Sequence, residues 1–255
     1  MIPARIATHP IPRQASDTST HPIPHVSDPP TLRNRDRMPP SAPTLHVGDL
    51  HKSYGDHHVL RGVELEVPPG RLVGVVGENG SGKSTLLRIL AGRLTPDRGT
   101  VSFPGSLGYC PQHTVLNPAF TVDQHLRFFQ VAYGLPDLER AHELLDILNF
   151  AAYRRHRVAT LSGGTRQKLN LTLALMHDPP LLLLDEPYQG FDWDTYERFW
   201  DLAATLRDQG RSVLVISHIA FDTARFDQLW RLDGGLLATG ANTAGADITG
   251  VRTAD

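Results

Sequence analysis

The sequence predicts an α/β fold: a parallel sheet flanked by helices, an antiparallel β portion at its start and a helical insertion within it. Three observations predict it. The apolar runs Leu181 to Leu184 and Val213 to Ile216 alternate with helical patterns, as strands buried on both faces do. A glycine-rich loop, Gly77 to Gly82, stands between the apolar stretch Leu72 to Val76 and a helical repeat. Residues 122–150 interrupt this alternation with two consecutive helical patterns, the second being LERAHELLDILNF.

Residues 1–43 hold 10 of the 20 prolines, no aromatic residue and a repeated THPIP at 8–12 and 20–24, so they cannot close a core. They are expected to be a disordered extension, with a proline-rich docking arm as the functional alternative. The folded domain is expected over about 44–240, with the helical insertion at about 113–165 and a small, polar, flexible tail at 241–255. Leu45 to Leu50, Val63 to Val67 and Leu72 to Val76 read as short strands, an antiparallel hairpin opens the domain, and Pro68-Pro69-Gly70 turns the chain between the last two. From Ser84, the residues Leu86, Leu87, Leu90 and Leu94 repeat at helical spacing, and GTVSF and SLGYC return to strand character. A helix follows Leu161-Ser162-Gly163-Gly164, another spans 194–208, and QLWRLDGGLLAT closes the domain as a hairpin.

Composition removes several classes of function. The 255 residues are 40% hydrophobic, enough for a proper core. Residues 1–43 hold five Arg and three Asp, so the rest of the chain carries 20 basic against 24 acidic residues, a sign that argues against nucleic acid as partner. No stretch approaches the roughly 18 apolar residues of a membrane span, and MIPARIATHPIPRQ lacks the apolar block of a secretory signal. The single Cys110 excludes an internal disulfide and a cysteine zinc cage, and it reads as a buried apolar residue. The histidines show no metal spacing, and His57-His58 reads as an exposed turn.

Gly77-Glu78-Asn79-Gly80-Ser81-Gly82-Lys83-Ser84 has the strand–loop–helix setting of a P-loop. Its glycines let successive backbone N–H groups converge on phosphate oxygens at a helix N-terminus, where the dipole also favours anions. Lys83 would neutralise the β/γ charge and Ser84 would hold Mg²⁺. Lysine is scarce, with only Lys52, Lys83 and Lys168 in the chain, which makes its presence in the loop harder to meet by chance. Asp185 and Glu186 end the run LLLL at the carboxyl edge of a central strand, where open α/β sheets bind ligands. Two adjacent buried acids need a counter-charge, which Mg²⁺ and phosphate supply. Asp185 would hold the metal through water and Glu186 would polarise an attacking water. Ser162 is a good N-cap, and the glycines after it expose a second helix N-terminus suited to an anion.

GENGSGKST, LSGGTRQ, LLLLDEP and VLVISH stand here in the order and spacing of the ABC (ATP-binding cassette) ATPases, and the chain resembles their nucleotide-binding subunit over about residues 44–240. The resemblance implies a P-loop NTPase core with ATP and Mg²⁺ as cofactors, and ATP contacts from Gly77, Glu78, Asn79, Gly80, Ser81, Gly82, Lys83, Ser84 and Thr85. It implies a head-to-tail homodimer or heterodimer, ATP lying between the P-loop of one copy and Ser162, Gly163 and Gly164 of the other. It implies that Tyr54 stacks on adenine, that Gln112 senses Mg²⁺ and the water, that Asp192 lies in the loop crossing the dimer interface, and that His218 contacts the γ-phosphate. Two departures stand out: Thr165 in place of the commoner Gln, and Tyr188-Gln189-Gly190-Phe191 in place of a run of small residues. The expected function is that of an ATPase energising a separate transmembrane permease, exporter-like, from the cytoplasmic face of the membrane. A soluble assembly ATPase of the iron–sulfur scaffold type is the alternative.

Overall fold

The computed structural model describes residues 44–113, 116–217 and 223–240. The expected extension at 1–43 and the tail at 241–255 lie outside the described residues. The chain runs β1 (Leu45–Tyr54), β2 (His57–Val67), β3 (Leu72–Val76), α1 (Lys83–Leu90), β4 (Arg98–Ser102), β5 (Leu107–Cys110), α2 (Val122–Tyr133), α3 (Glu139–Ile147), α4 (Gly163–Leu175), β6 (Leu181–Asp185), α5 (Trp193–Asp208), β7 (Ser212–Ser217), β8 (Gln228–Asp233) and β9 (Leu236–Gly240), with short 3-10 turns at 151–153, 158–160 and 223–225.

Among the described residues nine strands form two sheets. One is antiparallel, in the order β2-β1-β4, and the other runs β5-β6-β7-β3-β8-β9. In the second sheet β5, β6, β7, β3 and β8 are parallel neighbours, and only β9 turns back, antiparallel to β8. The opening hairpin is β1–β2, longer than the short runs suggest, and its turn is Gly55-Asp56. His57 and His58 are thus the first residues of β2, paired with Tyr54 and Ser53, and not the turn itself. Pro68-Pro69-Gly70 does turn the chain between β2 and β3, but these strands belong to different sheets. The burial pattern explains why. In β2, Val63, Leu65 and Val67 are buried while Glu64 and Glu66 are exposed, whereas β3 is buried at every position.

Side-chain alternation in the central strands divides the core in two. Leu181, Leu183, Leu214, Ile216, Val73 and Val75 point to the face shared by α1 and the antiparallel sheet, where they meet Leu86, Leu87 and Leu90. Leu182, Leu184, Val213 and Val215 point to the opposite face, against α4, α5 and the helices of the insertion. Cys110 lies fully buried on this second face, accepting a hydrogen bond from Asn170 Nδ2 at 3.2 Å, and burial pushes its thiol pKa up. It is a packing residue, as expected.

Within the insertion, α2 opens with a capping box: Thr121 accepts from Gln124 N and the Gln124 side chain accepts from Thr121 N. Val122, His125 and Leu126 face inward, while Phe128 and Val131 are left 48% and 82% exposed. No helix of the described residues is long and apolar enough to cross a membrane.

Candidate functional site

The site grows out of the C-terminal ends of the parallel strands, the edge at which open α/β sheets bind ligands. β3 ends at Val76, and the chain then makes the loop that caps α1. Gly77 is held so close to β8 that a Cβ there would lie 2.3 Å from the carbonyl oxygen of Leu232, so no other residue fits. Gly82, the N-cap of α1, sits at φ +104°, a conformation that glycine alone adopts without strain. No side chain caps α1 and no acidic residue stands in its first turn, so its free N–H groups and dipole favour an anion. Lys83 is 7% exposed and its Nζ donates to the carbonyl oxygens of Gly77 and Glu78, both at 2.7 Å. Burial pulls the Lys83 pKa down, opposed by the charges of Glu186 and Asp185.

Across from this loop, β6 delivers Asp185 and Glu186, 5% and 7% exposed. Glu186 holds a left-handed backbone, φ +47°, with its N–H donating to Ile216 O at 3.0 Å. Its Oε2 accepts from Gln112 Nε2 at 3.0 Å. Gln112, which has no sequence signal of its own beyond the resemblance, arrives there because β5 pairs with β6 with Cys110 beside Leu184. Val59, Asn79, Gly80, Gly82, Lys83, Ser84, Thr85, Gln112, Asp185 and Glu186 line one open recess of about 260 Å³. Val59 reaches the site from β2, and as an apolar residue in a strand it carries no sequence signal of this position.

The recess suits a magnesium–phosphate ligand. Among the described residues no three His, Cys, Asp or Glu side chains form a metal cage. The oxygens of Ser84, Gln112 and Asp185 at the recess are hard donors of the kind Mg²⁺ takes, with phosphate completing the shell. Asp185 is held in a setting unfavourable to its charge. Burial, and then the neighbouring Glu186, push its pKa from 3.8 up to about 6, against the pull of Lys83.

This raised pKa makes a stability prediction. The native state holds the Asp185 proton more tightly than the unfolded chain, so stability falls as pH rises from about 3.8 through about 6 and the penalty is complete above that. The shift corresponds to on the order of 3 kcal/mol. Asp185→Asn is therefore expected to raise the Tm of the nucleotide-free, metal-free protein at pH 8 by about 6–12 °C. The gain should shrink as pH is lowered toward 4, and thermal denaturation across this range in chelator checks it.

The second predicted anion site lies apart from this recess, at the start of α4. Ser162 caps the helix, accepting from Thr165 N at 3.1 Å, and Thr165 Oγ1 meets Ser162 Oγ at 2.9 Å, so the unusual threonine closes the cap rather than opening it. Ser162 and Gly163 are exposed. Gly164 touches Gly190 backbone to backbone: a Cβ on Gly164 would lie 2.1 Å from Gly190 O. Asp192 caps α5 by accepting from Thr195 N at 2.9 Å and lies 3.7 Å from the buried Lys168, and its side chain remains 66% exposed. None of Ser162, Gly163, Gly164 or Asp192 lines the recess. Tyr54 also stands outside it, at the end of β1, 49% exposed with Lys52 Nζ 5.8 Å from its ring centroid. His218 lies outside the described residues.

The sequence profile of the ABC transporter family matches residues 60–189. The chain is 34% identical over 207 residues to the Nod factor export ATP-binding protein I of Cupriavidus metallidurans, covering 75% of this chain and 68% of that one. A second protein of that name, from Ralstonia nicotianae, is 33% identical, and the match covers 76% of this chain and 66% of it, so the chain spans about two thirds of these relatives. Among solved structures, the ATP-binding subunit of an ABC transporter superimposes with a TM-score of 0.73 at 30% identity, covering 77% of this chain and 89% of that one. A dimeric bacterial ABC transporter cassette has the same fold, with a TM-score of 0.70 at 24% identity over 76% of this chain and 96% of that one. A P-loop opposite a strand-end Asp-Glu pair, a capped LSGG helix and these likenesses converge: the chain is an ATPase cassette of the ABC transporter family.

Proposed function

We propose that this cassette energises export through a separate membrane-spanning partner, by closing on a second cassette around ATP and reopening after hydrolysis. One observation carries the reading: Lys83, Ser84, Gln112, Asp185 and Glu186 surround a single recess, while the capped helix start at Ser162 and Gly163 is exposed elsewhere on the same chain. One copy thus has a cradle without a lid and a lid without a cradle. Two copies, identical or not, placed head to tail supply both.

In each closed site, Lys83 and the loop N–H groups hold the β- and γ-phosphates, with Tyr54 against the adenine and His218 at the γ-phosphate. Ser84, Gln112 and Asp185 would hold Mg²⁺, which when bound screens the charge of the transferring phosphoryl group. Glu186 polarises the attacking water, and Gln112, hydrogen-bonded to it, relates the base to the metal side of the site. Positioning and charge stabilisation suffice, with no covalent intermediate.

The partner is proposed to grip the surface that adjoins Gln112. There a second recess, of about 380 Å³, is lined by Arg88, Arg93, Tyr109 and His113 beside Gln112. The insertion also leaves Phe128 and Val131 of α2 exposed as an apolar surface. The export direction is supported by the names of the Nod factor relatives, which carry export rather than cluster assembly. On this reading the chain works at the cytoplasmic face of the membrane. Phe128→Glu with Val131→Glu is expected to leave basal ATPase activity and Tm unchanged, because both side chains are exposed, while the protein no longer co-purifies with membranes or with a multi-span protein. Recovery of a soluble partner alone, from the unmodified chain, would defeat the transport reading.

A further inference from the structure

We propose that Tyr188 is a positioning residue for Glu186, acting through a hydrogen bond from its hydroxyl to Ser217; the inference rests on the reading of Glu186 as the group that polarises water. The observation behind it is a backbone problem. Glu186 is one of four non-glycine residues of the described chain with positive φ, at +47°, in a region that side chains disfavour. A carboxylate on such a residue is aimed only if its surroundings over-determine the backbone.

The surroundings do so from several sides. Glu186 N donates to Ile216 O at 3.0 Å, and Glu186 O accepts from Gln189 N at 3.1 Å and from Gln167 Nε2 at 3.5 Å. These bonds hold the peptide groups at residue 186, at the start of the turn from 186 to 191. Tyr188 provides the second attachment. Its hydroxyl donates to Ser217 Oγ at 2.7 Å, one residue beyond the Ile216 that receives Glu186. Its ring is wedged among Tyr196, Phe199 and Trp200, with centroids 5.2, 5.7 and 5.7 Å away. Two points of attachment, two residues apart on the loop and one apart on the strand, fix an orientation where one point leaves a hinge.

The same turn then carries Gly190 against Gly164 and Asp192 onto α5. The large Tyr188, where small residues are the commoner choice, thereby stiffens the whole path between the water-polarising carboxylate and the exposed LSGG helix start. Its hydroxyl is what ties that path to β7.

Tyr188→Phe removes the hydroxyl and keeps the ring. Expected is a fall in kcat of about fivefold with the KM for ATP within twofold and Tm within about 2 °C, the pattern of a lost orientation rather than lost binding or folding. Ser217→Ala should also lower kcat, and the double variant should be no slower than the slower single, because the two single variants share the loss of the Tyr188–Ser217 bond. The deciding measurement is single-turnover hydrolysis in a Glu186→Gln background, where Tyr188→Phe should cost nothing further, there being no base left to aim. An unchanged kcat in Tyr188→Phe, or an equal fivefold loss when Glu186 is already Gln, overturns the positioning role while the unmodified chain still hydrolyses ATP. No hydrolysis by the unmodified chain, with its partner present, overturns the reading of Glu186 and this inference together.

Discussion

Glu186→Gln is expected to bind ATP almost as tightly as the parent protein, to lose hydrolysis by at least about 100-fold, and to accumulate as a dimer on ATP but not on ADP. The geometry separates these effects. The amide has the shape of the carboxylate, so it can keep the contact to Gln112 at 3.0 Å and the backbone bond to Ile216. It cannot accept a proton at neutral pH, and loss of a general base costs on the order of 10²- to 10⁴-fold. Binding is spared because the phosphates are held by the loop and Lys83, across the recess from Glu186. On the proposed reading the dimer persists, because ATP would join the two halves and its cleavage would release them.

The substitution also removes a buried negative charge beside Asp185, whose pKa Glu186 helps to raise, so the nucleotide-free protein should be no less stable than the parent. Turnover in the presence and absence of partner, ATP affinity by filter binding, and size-exclusion with each nucleotide check the three parts. Turnover within a few fold of the parent would remove Glu186 from the role of base.

What was legible in the sequence was what is contiguous in it. The strand, loop and helix around Gly77 to Ser84 form one local unit, and the acids ending LLLL announce a strand end on their own, so both halves of the recess could be named before any contact was known. Gln112 could not be placed on its residues alone. It meets Glu186 across 74 positions of chain because β5 lies beside β6 in one particular register, and no local pattern encodes which parallel strands are neighbours. The division into two sheets was present but easily passed over: VELEV alternates and LVGVV does not, and that change of pattern across Pro68-Pro69-Gly70 is where the chain leaves one sheet for the other. The contact of Gly164 with Gly190 was hidden for another reason. A glycine kept for lack of space looks the same in sequence as one kept for its backbone freedom or for its exposed N–H.

Lys83→Ala should have the opposite signature to Glu186→Gln: no tight ATP binding, no hydrolysis and no nucleotide-induced dimer. In the structure the Lys83 ammonium is a buried cation whose charge is met by two loop carbonyls and by the field of Asp185 and Glu186. Burial alone would lower its pKa, and the arrival of a triphosphate supplies the negative charge that such a group lacks. Each charge-assisted hydrogen bond lost is worth about 1.5–3 kcal/mol, so affinity should fall by about 10- to 100-fold, and turnover further still because the same charge is needed on the transferring group. Folding should survive, since removing a desolvated cation also removes its desolvation cost, and a Tm within a few degrees of the parent would verify this. The pairing of the two variants is what gives each its force. If closure depends on ATP held by the P-loop and reopening on water activated by Glu186, then Lys83→Ala must be monomeric and idle, whereas Glu186→Gln must be dimeric and idle. Two inactive proteins in the same oligomeric state would mean that nucleotide does not join the halves.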